Sequence, residues 1–298
     1  MIGAHYDHLG MGHGGHSLDA NPENKVHNGA DDNASGVAGV LELARYFSEN
    51  EKKEKFNFLF ICFSGEEEGL LGSKFFVNNP TLSLDKINCM INMDMIGRLN
   101  DSTKKIIVYG TGTSPKFEPL LATLTKESLI KVKTDSAGMG PSDHASFYLK
   151  GIPVLHFFTG THGDYHRPSD DIEKINFYGE KQVLDFIVKV VNEICKEDKL
   201  TYLQTKNSQS NSPRFKVTLG IIPDYSFEGS GVKLDGVSES KPAAAAGLKA
   251  GDILVRLGDW EITDMQSYMK ALSNFEKGQK TTILFKRNGQ IQAVEATF

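Results

Sequence analysis

Side chains that bind metal ions recur in this sequence close to the ends of predicted β-strands. In chain order they are His5, Asp32, Glu66 with Glu67, Asp94 and His166. Imidazole nitrogens and carboxylate oxygens coordinate zinc, and two histidines with three carboxylates suit a pair of zinc ions if one carboxylate bridges them. One glutamate is then left over to act as a general base. This set of residues predicts a two-metal site with a base beside it.

The acidic segment Glu66-Glu67-Glu68 lies between a predicted strand and a predicted helix. Residues 56–62 are a short aromatic and β-branched run followed by Ser64-Gly65, which is typical of a buried strand entering a loop, and residues 70–79 have helical spacing. Ligands of open α/β sheets bind at the carboxyl ends of strands, where a buried carboxylate needs a cation or a proton. Three glutamates alone would favour a solvated turn, but the recurrence at other strand ends favours a site.

The elements around His5 and Asp32 have the same arrangement. His5 ends the first predicted strand, and Asp7, two residues further on, can reach the second ring nitrogen and fix its tautomer. Asp32 precedes a predicted helix of residues 34–49, and the small residue Gly36 indicates that the start of this helix is tightly packed. Capping alone would explain one acid at this position, but not two.

Asp94 and His166 complete the set. Asp94 lies near the end of the apolar run 87–95, and a buried Asp is rarely unpaired, so either Arg98 or a metal ion is expected beside it. His166 lies in the loop after a predicted strand of residues 153–158. The other histidines of the glycine-rich loop at residues 10–29 are expected to be solvated: His13, His16 and His27.

Strands and helices alternate along residues 1–197. This alternation predicts an α/β domain with a mostly parallel, twisted sheet flanked by helices. The run Ser142-Asp143-His144 contains the residue types of a serine-hydrolase triad. Consecutive side chains diverge and cannot form that relay, which excludes this chemistry at the run.

Composition limits the other functions. Of the 298 residues, 39% are hydrophobic and 24% are charged, which is ordinary for a globular protein. The net charge of −5 and the lack of clustered Lys and Arg argue against nucleic acid as a partner. No apolar run approaches the roughly 20 residues of a membrane span. The three cysteines lie in apolar segments and are expected to be core thiols: Cys62, Cys89 and Cys195.

The C-terminal third has a different character. Residues 198–213 are rich in Thr, Gln, Asn and Ser and are predicted to be a linker to a second domain at residues 214–298. The segment from Pro242 to Leu254 resembles the most specific part of a bacterial-type PDZ domain. In such domains an extended C-terminal peptide adds to a sheet edge and backbone amides hold its carboxylate, here near Leu219, Gly220 and Ile221. An appendage that binds no peptide is the equal alternative.

Residues 1–197 resemble the co-catalytic zinc aminopeptidases of metallopeptidase family 28, which share a fold with glutamate carboxypeptidase and glutaminyl cyclase. The motifs that match in order are His5-x-Asp7, Gly29-Ala-Asp-Asp32-Asn-Ala-Ser-Gly36, Glu66-Glu67-x-Gly69-Leu70, Asp94 and Tyr165-His166. Relatives have a helix and one or more edge strands before the His-x-Asp strand. The sequence begins at the end of such a strand, so a preceding segment is expected.

The resemblance implies a role for each motif residue. It implies five ligands of two zinc ions, with Asp32 bridging the pair: His5, Asp32, Glu67, Asp94 and His166. Glu66 is the implied general base, Asp7 orients His5, and Tyr165 hydrogen-bonds the tetrahedral intermediate. The peptide bond between Asp32 and Asn33 is expected to be cis.

The function expected from these features is removal of N-terminal residues from peptides, with a metal-activated bridging water as the nucleophile. The alternatives are a carboxypeptidase or glutaminyl cyclase on the same fold, or a PDZ peptide-binding protein whose truncated peptidase half is not functional. The expected partners are peptides with a free N-terminus and, at the PDZ domain, a C-terminal peptide. The family resemblance suggests a periplasmic, secreted or surface-exposed bacterial protein if a preceding segment carries a signal.

Overall fold

Short runs of β-branched and aromatic residues form a six-stranded sheet in the described part of the chain, because such side chains fill the space on both faces of a buried strand. The strands are β1 (Ile2–His5), β2 (Phe60–Phe63), β3 (Met90–Met93), β4 (Lys105–Tyr109), β5 (Lys131–Thr134) and β6 (Val154–Phe158). Their order across the sheet is β2-β1-β3-β6-β4-β5. Among these strands β4 and β6 pair antiparallel and the other neighbours pair parallel. The predicted mostly parallel sheet is confirmed.

Helices pack on this sheet through their apolar faces. They are α1 (Gly36–Glu49), α2 (Leu71–Asn78), α3 (Phe117–Lys126), α4 (His144–Tyr148) and α5 (Phe177–Lys196). On α5, Val183 and Ile187 lie one helical turn apart and are buried in one cluster with Met93 and Phe157 of the sheet. Part of the core therefore lies between the sheet and α5.

The computed structural model describes residues 1–13, 16–19, 21–22, 24–205, 217–224, 227, 229–238 and 241–298. The chain divides into two compact units. The first is built from Met1–Gly12, Asn24–Gly160 and Pro168–Ser208, and it contains the six-stranded sheet. The second is built from His13–Glu23, Thr161–Arg167 and Gln209–Phe298. Two segments of the first 197 residues thus cluster with the second unit, and the domain boundaries at residues 197 and 214 stay a prediction.

The second unit contains a separate sheet of mainly antiparallel strands. Its elements are β7 (Ile221–Pro223), β8 (Val232–Val237), α6 (Pro242–Ala245), β9 (Ile253–Leu257), β10 (Trp260–Glu261), α7 (Met265–Leu272), β11 (Lys280–Arg287) and β12 (Gln290–Thr297). The strand order is β12-β11-β9-β8-β7, with β10 beside β9. At the start of β9, the buried Asp252 accepts the Lys249 N–H and both carboxylate oxygens lie 2.7 Å from guanidinium nitrogens of Arg287.

The segment after α5 is partly held on the first unit. The Leu200 N–H donates to Asn88 Oδ1, and the Thr205 N–H donates to the Tyr148 hydroxyl. The predicted linker at 198–213 therefore has a docked beginning, while residues 206–213 lie outside the described part. The helices of the described chain include none long and apolar enough to cross a membrane.

Glu180 lies on α5 with only 7% of its surface exposed. Burial, and secondly the nearby Asp31 carboxylate, raise the pKa of Glu180 to about 7. In the unfolded chain a glutamate titrates near its ordinary value of 4.5. The folded protein consequently binds an extra proton between these two pH values, and Glu180 lowers its stability as the pH rises through this window.

We expect Glu180→Gln to be nearly neutral at pH 4 and stabilising by up to about 3 kcal/mol at pH 8, because the variant removes a group whose ionisation opposes folding. Urea unfolding of both proteins across this pH range, at constant zinc concentration, measures the difference. The exposed Glu173→Gln provides the control. A stability difference that does not grow between pH 4 and pH 8 would contradict the interpretation of Glu180.

Candidate metal centre

The ends of β1 and β3 bring the first group of potential ligands together. These strands are parallel neighbours, so His5 at the end of β1 and Asp94 just after β3 lie at the same edge of the sheet. The His5 Nε2 atom is 3.3 Å from Asp94 Oδ1 and 3.4 Å from Asp32 Oδ1. Glu66 Oε2 is further away, at 4.0 Å from the same nitrogen. The His5 side chain is 1% exposed, so this group lies below the surface.

The spacing of these donor atoms fits a zinc ion. Zinc–nitrogen and zinc–oxygen bonds of about 2.0–2.1 Å in a tetrahedron place neighbouring ligand atoms about 3.3–3.4 Å apart. His5 Nε2 has this separation from Asp32 Oδ1 and from Asp94 Oδ1. Glu66 Oε2 lies outside it. His5, Glu66 and Asp94 also offer donor atoms within 4.8 Å of one another, but Asp32 and Asp94 lie at the zinc separation from His5 and Glu66 lies beyond it.

Asp7 connects His5 to the loop that carries the glutamates. His5 Nδ1 lies 3.1 Å from the Asp7 carbonyl oxygen and 3.7 Å from its carboxylate. The same carboxylate accepts the backbone N–H groups of Glu66 and Glu67, at 3.0 and 3.3 Å. Burial would raise the pKa of Asp7, but these hydrogen bonds from His5 and Glu66 outweigh it and lower the pKa. The predicted role of Asp7 as the partner of His5 extends to holding the glutamate loop.

A second group of potential ligands lies beside the first. His8 Nδ1 is 2.9 Å from Glu67 Oε1 and 3.8 Å from Asp32 Oδ2. Candidate donor atoms of His8, Asp32 and Glu67 all lie within 4.8 Å of one another. Since Asp32 Oδ1 faces His5 while Asp32 Oδ2 faces this second group, the Asp32 carboxylate lies between the two groups. That position is the one required of a bridging ligand.

The loop before α1 holds Asp32 in this position. Gly29 begins it in the left-handed region, with φ of 61°, and the peptide bond between Asp32 and Asn33 is cis, as expected. The buried Asp170 carboxylate accepts the N–H groups of Asp31 and Asp32. These contacts satisfy backbone donors that would otherwise be buried without partners.

Asn33 and Gly36 attach the same loop to β3. The Asn33 side chain donates to the Met93 carbonyl and accepts the N–H of Gly36 and of Met95. A Cβ at residue 36 would lie 2.3 Å from Asn33 Oδ1 and 2.6 Å from the Met93 carbonyl oxygen. The tight packing predicted from Gly36 is therefore confirmed, and its partner is the strand that ends at Asp94.

The crowded carboxylates of the two ligand groups shift the pKa values of His5 and Glu66. Burial would lower the pKa of His5, but the Asp94 charge and the hydrogen bonds that the His5 ring donates to the Asp32 and Asp7 carboxylates raise it well above its ordinary value. Burial raises the pKa of Glu66 well above its ordinary range, and the charges of Asp94 and Glu67 add to this against the opposing effect of His5. Both shifts have the same cause, which is several carboxylates crowded into a buried site, and such a site favours a bound cation.

Two residues predicted for the site belong to the second unit, and one predicted partner of Asp94 contacts another residue. Tyr165 and His166 belong to the second unit, where His166 Nδ1 is 2.9 Å from the His16 carbonyl oxygen. The ligand groups found among the described residues do not include His166. Arg98, one of two expected partners of Asp94, has Nη1 4.0 Å from Asp170 Oδ1 instead.

The structure also describes His27, the three cysteines and the predicted peptide-binding segment of the second unit. His27 was predicted to be solvated, but it is 3% exposed, because its ring packs beside His8 and its Nδ1 contacts the Lys25 carbonyl. The three cysteines are free thiols, as predicted. In the second unit, Leu219 is buried, its carbonyl accepts the Ala243 N–H, and Gly220 has φ of 75° before β7 begins at Ile221. The predicted carboxylate-binding segment is therefore a turn entering a strand.

Two residues of the site, His8 and Asp170, were not expected from the sequence motifs. His8 follows His5-x-Asp7 directly, and a third donor residue so close to the strand end was a usable signal. Asp170 comes from a segment 138 residues after Asp32, and a run of polar residues there gives no indication of its partner.

Comparison with known proteins supports the same interpretation. Residues 1–191 match the family model Peptidase family M28, and residues 200–297 match a PDZ domain model. Leupeptin-inactivating enzyme 1 of Streptomyces exfoliatus is 35% identical over 147 residues, which are 49% of this chain and 32% of that protein. Aminopeptidase YwaD of Bacillus subtilis is 29% identical over 181 residues, 57% of this chain and 39% of that protein.

Solved structures of aminopeptidases have the same fold. A zinc aminopeptidase from Bacillus subtilis matches with a TM-score of 0.52 and 27% identity, covering 67% of this chain and 48% of that chain. The LapA aminopeptidase of Legionella pneumophila matches with a TM-score of 0.54 and 26% identity, covering 66% and 51%. The chain spans between 32% and 39% of the length of the two curated relatives above and about half of these structures.

Proposed function

The chain belongs to peptidase family M28, and we propose that it is a zinc-dependent aminopeptidase that removes N-terminal residues from peptides. The observation that carries the proposal is the spacing around His5 Nε2, which lies 3.4 Å from Asp32 Oδ1, 3.3 Å from Asp94 Oδ1 and 4.0 Å from Glu66 Oε2. It provides a metal position and a separate acid–base group in one buried cluster. The similarity to zinc aminopeptidases supports the same activity.

We propose that two zinc ions bind per chain. His5, Asp32 and Asp94 would hold the first, while Asp32 and Glu67 would hold the second, with His166 as the further ligand that the family resemblance implies. Zinc in such a pair activates a water molecule for attack and polarises the scissile carbonyl group.

Glu66 is the proposed general base. Its carboxyl group lies beside the first metal position, and its Oε2 atom is 4.0 Å from His5 Nε2, further than the oxygens of Asp32 and Asp94. In this role Glu66 takes the proton of the attacking water and later delivers it to the leaving amine. Tyr165 is proposed to hydrogen-bond the tetrahedral intermediate.

Recognition of the substrate follows from the charge of the site. A peptide with a free N-terminus carries an ammonium group, and Glu66 and Asp94 provide the acidic surroundings that would accept it. This preference for an N-terminal ammonium would restrict cleavage to the end of the peptide. A carboxypeptidase would instead need a cation for the terminal carboxylate.

The second unit supports an additional binding role. Its PDZ match and the turn at Leu219 and Gly220 suit an extended peptide whose C-terminal carboxylate is held by backbone amides. We propose that this unit binds a peptide with a free, apolar C-terminus.

The zinc content of the purified chain, measured together with hydrolysis of a panel of aminoacyl-p-nitroanilides, tests the main proposal. We expect about two zinc ions per chain and turnover that a chelator stops. Bound zinc without turnover would favour a carboxypeptidase or glutaminyl cyclase. A chain with neither zinc nor turnover would reject the enzyme and leave peptide binding as its role.

Glu66→Gln is expected to lower kcat by about 10²–10⁴-fold while zinc content is unchanged, because the amide cannot accept the proton of the attacking water. Kinetics and metal analysis on the same preparation give both values. Glu68→Gln is the matched control, since Glu68 is exposed in the same loop. Full activity of the Glu66 variant would remove Glu66 from the role of base.

We expect the second unit to bind a fluorescent peptide with a free apolar C-terminus more tightly than the same peptide with an amidated end. Amidation removes the charge that the backbone N–H groups near Gly220 would hold. Fluorescence anisotropy with the full chain compares the two peptides. Equal binding of both, or none, would count against carboxylate recognition.

A further inference from the structure

His8 occupies a buried position between the glutamate loop and the loop that carries Asp32. Its side chain is 8% exposed, as is that of Glu67, and its Nδ1 atom is 2.9 Å from Glu67 Oε1. The distance from Nδ1 to Asp32 Oδ2 is 3.8 Å. A histidine so close to two proposed zinc ligands can act either as a ligand itself or as a hydrogen-bond donor to one of them.

The distances separate these two roles. His5, a proposed ligand, lies 3.3 and 3.4 Å from its neighbouring oxygens, which is the separation of about 3.3–3.4 Å expected between ligands of one tetrahedral zinc ion. His8 does not share this geometry. Its contact with Glu67 is shorter and has the length of an ordinary N–H···O hydrogen bond, while its contact with Asp32 is longer. The arrangement is that of a donor bound to the Glu67 carboxylate.

The surrounding chain fixes the His8 ring in place. A Cβ at residue 29 would lie 2.6 Å from His8 Cγ and 2.8 Å from its Cδ2, so the ring occupies space that Gly29 leaves open. The His27 ring lies on another side, with 6.5 Å between ring centroids. The loop that positions Asp32 thus also positions His8.

We propose that His8 is a positioning residue that donates its Nδ1–H to Glu67 and holds this carboxylate in the orientation that the second metal position requires. The inference rests on the proposed function, because it presupposes the zinc pair. Hydrogen bonds to ligating side chains commonly affect metal affinity by about 10–100-fold. His8 would act on the second position through Glu67 and leave the first position, which Glu67 does not reach, unchanged.

Two substitutions at residue 8 distinguish the possible roles. His8→Leu keeps an apolar side chain of similar reach but removes the donor. His8→Asn keeps an N–H donor on the γ-branch, close to where Nδ1 lies, but is a poor zinc ligand. His13→Leu, at an exposed histidine, controls for loss of an imidazole. Zinc affinity of both positions is measured by chelator competition with metal analysis, and circular dichroism checks the fold.

For His8→Leu we expect one of the two zinc ions to bind about 10–100-fold less tightly while the other is unchanged, and we expect His8→Asn to retain nearly wild-type affinity for both. If His8→Leu binds two zinc ions with wild-type affinity, the inference about His8 is wrong and the proposed function stands. An equal loss of zinc affinity in the Leu and Asn variants would also overturn it, because this result would indicate that His8 is itself a zinc ligand. A wild-type chain that binds no zinc would reject the proposed function and this inference together.

Discussion

The fold concentrates negative charge in a place with little water, and the rest of the first unit is arranged around that constraint. Asp32, Glu66, Glu67 and Asp94 meet at one edge of a buried sheet, where separate carboxylates repel each other and are poorly solvated. The same crowding raises the pKa of His5 and of Glu66, in each case in favour of the more positive form. One divalent cation would balance several of these negative charges. The donor spacing around His5 matches the separation between ligands of a zinc ion.

The scaffold holds these groups through hydrogen bonds from residues that are not ligands themselves. Asp7 links β1 to the glutamate loop, and Asp170 holds the backbone on the N-terminal side of the Asp32 side chain. Each of these carboxylates accepts two backbone N–H groups, so its own charge is compensated and adds little repulsion. Preorganisation of this kind lets ligands on distant segments keep their separation without rearrangement when a metal binds.

Much of the fold and of the first ligand group could be predicted from the sequence, because both depend on short-range signals. The helix predicted at residues 34–49 lies at Gly36–Glu49, because apolar residues at helical spacing are a strong local signal. The strand predicted at residues 56–62 lies at Phe60–Phe63, and β5 was missed because its side chains are half-exposed and its pattern resembles a loop. Asp170 and the burial of His27 depend on pairings between distant segments, which spacing along the chain does not encode.

The Asn33 side chain also changes how the sheet itself ends. The ladder between β1 and β3 stops at Gly3 and Asn92, although β3 continues to Met93. A parallel neighbour would next accept the Met95 N–H and donate to the Met93 carbonyl, and the Asn33 carboxamide makes both of these bonds. The Asn33 side chain thus takes the place that a peptide unit of β1 would have, at the point where the pairing of β1 with β3 has ended. Replacing Asn33 with Asp would put an oxygen where the donor now faces the Met93 carbonyl, so the loss of one amide nitrogen at a residue that binds no metal would remove a link between this loop and the end of β3.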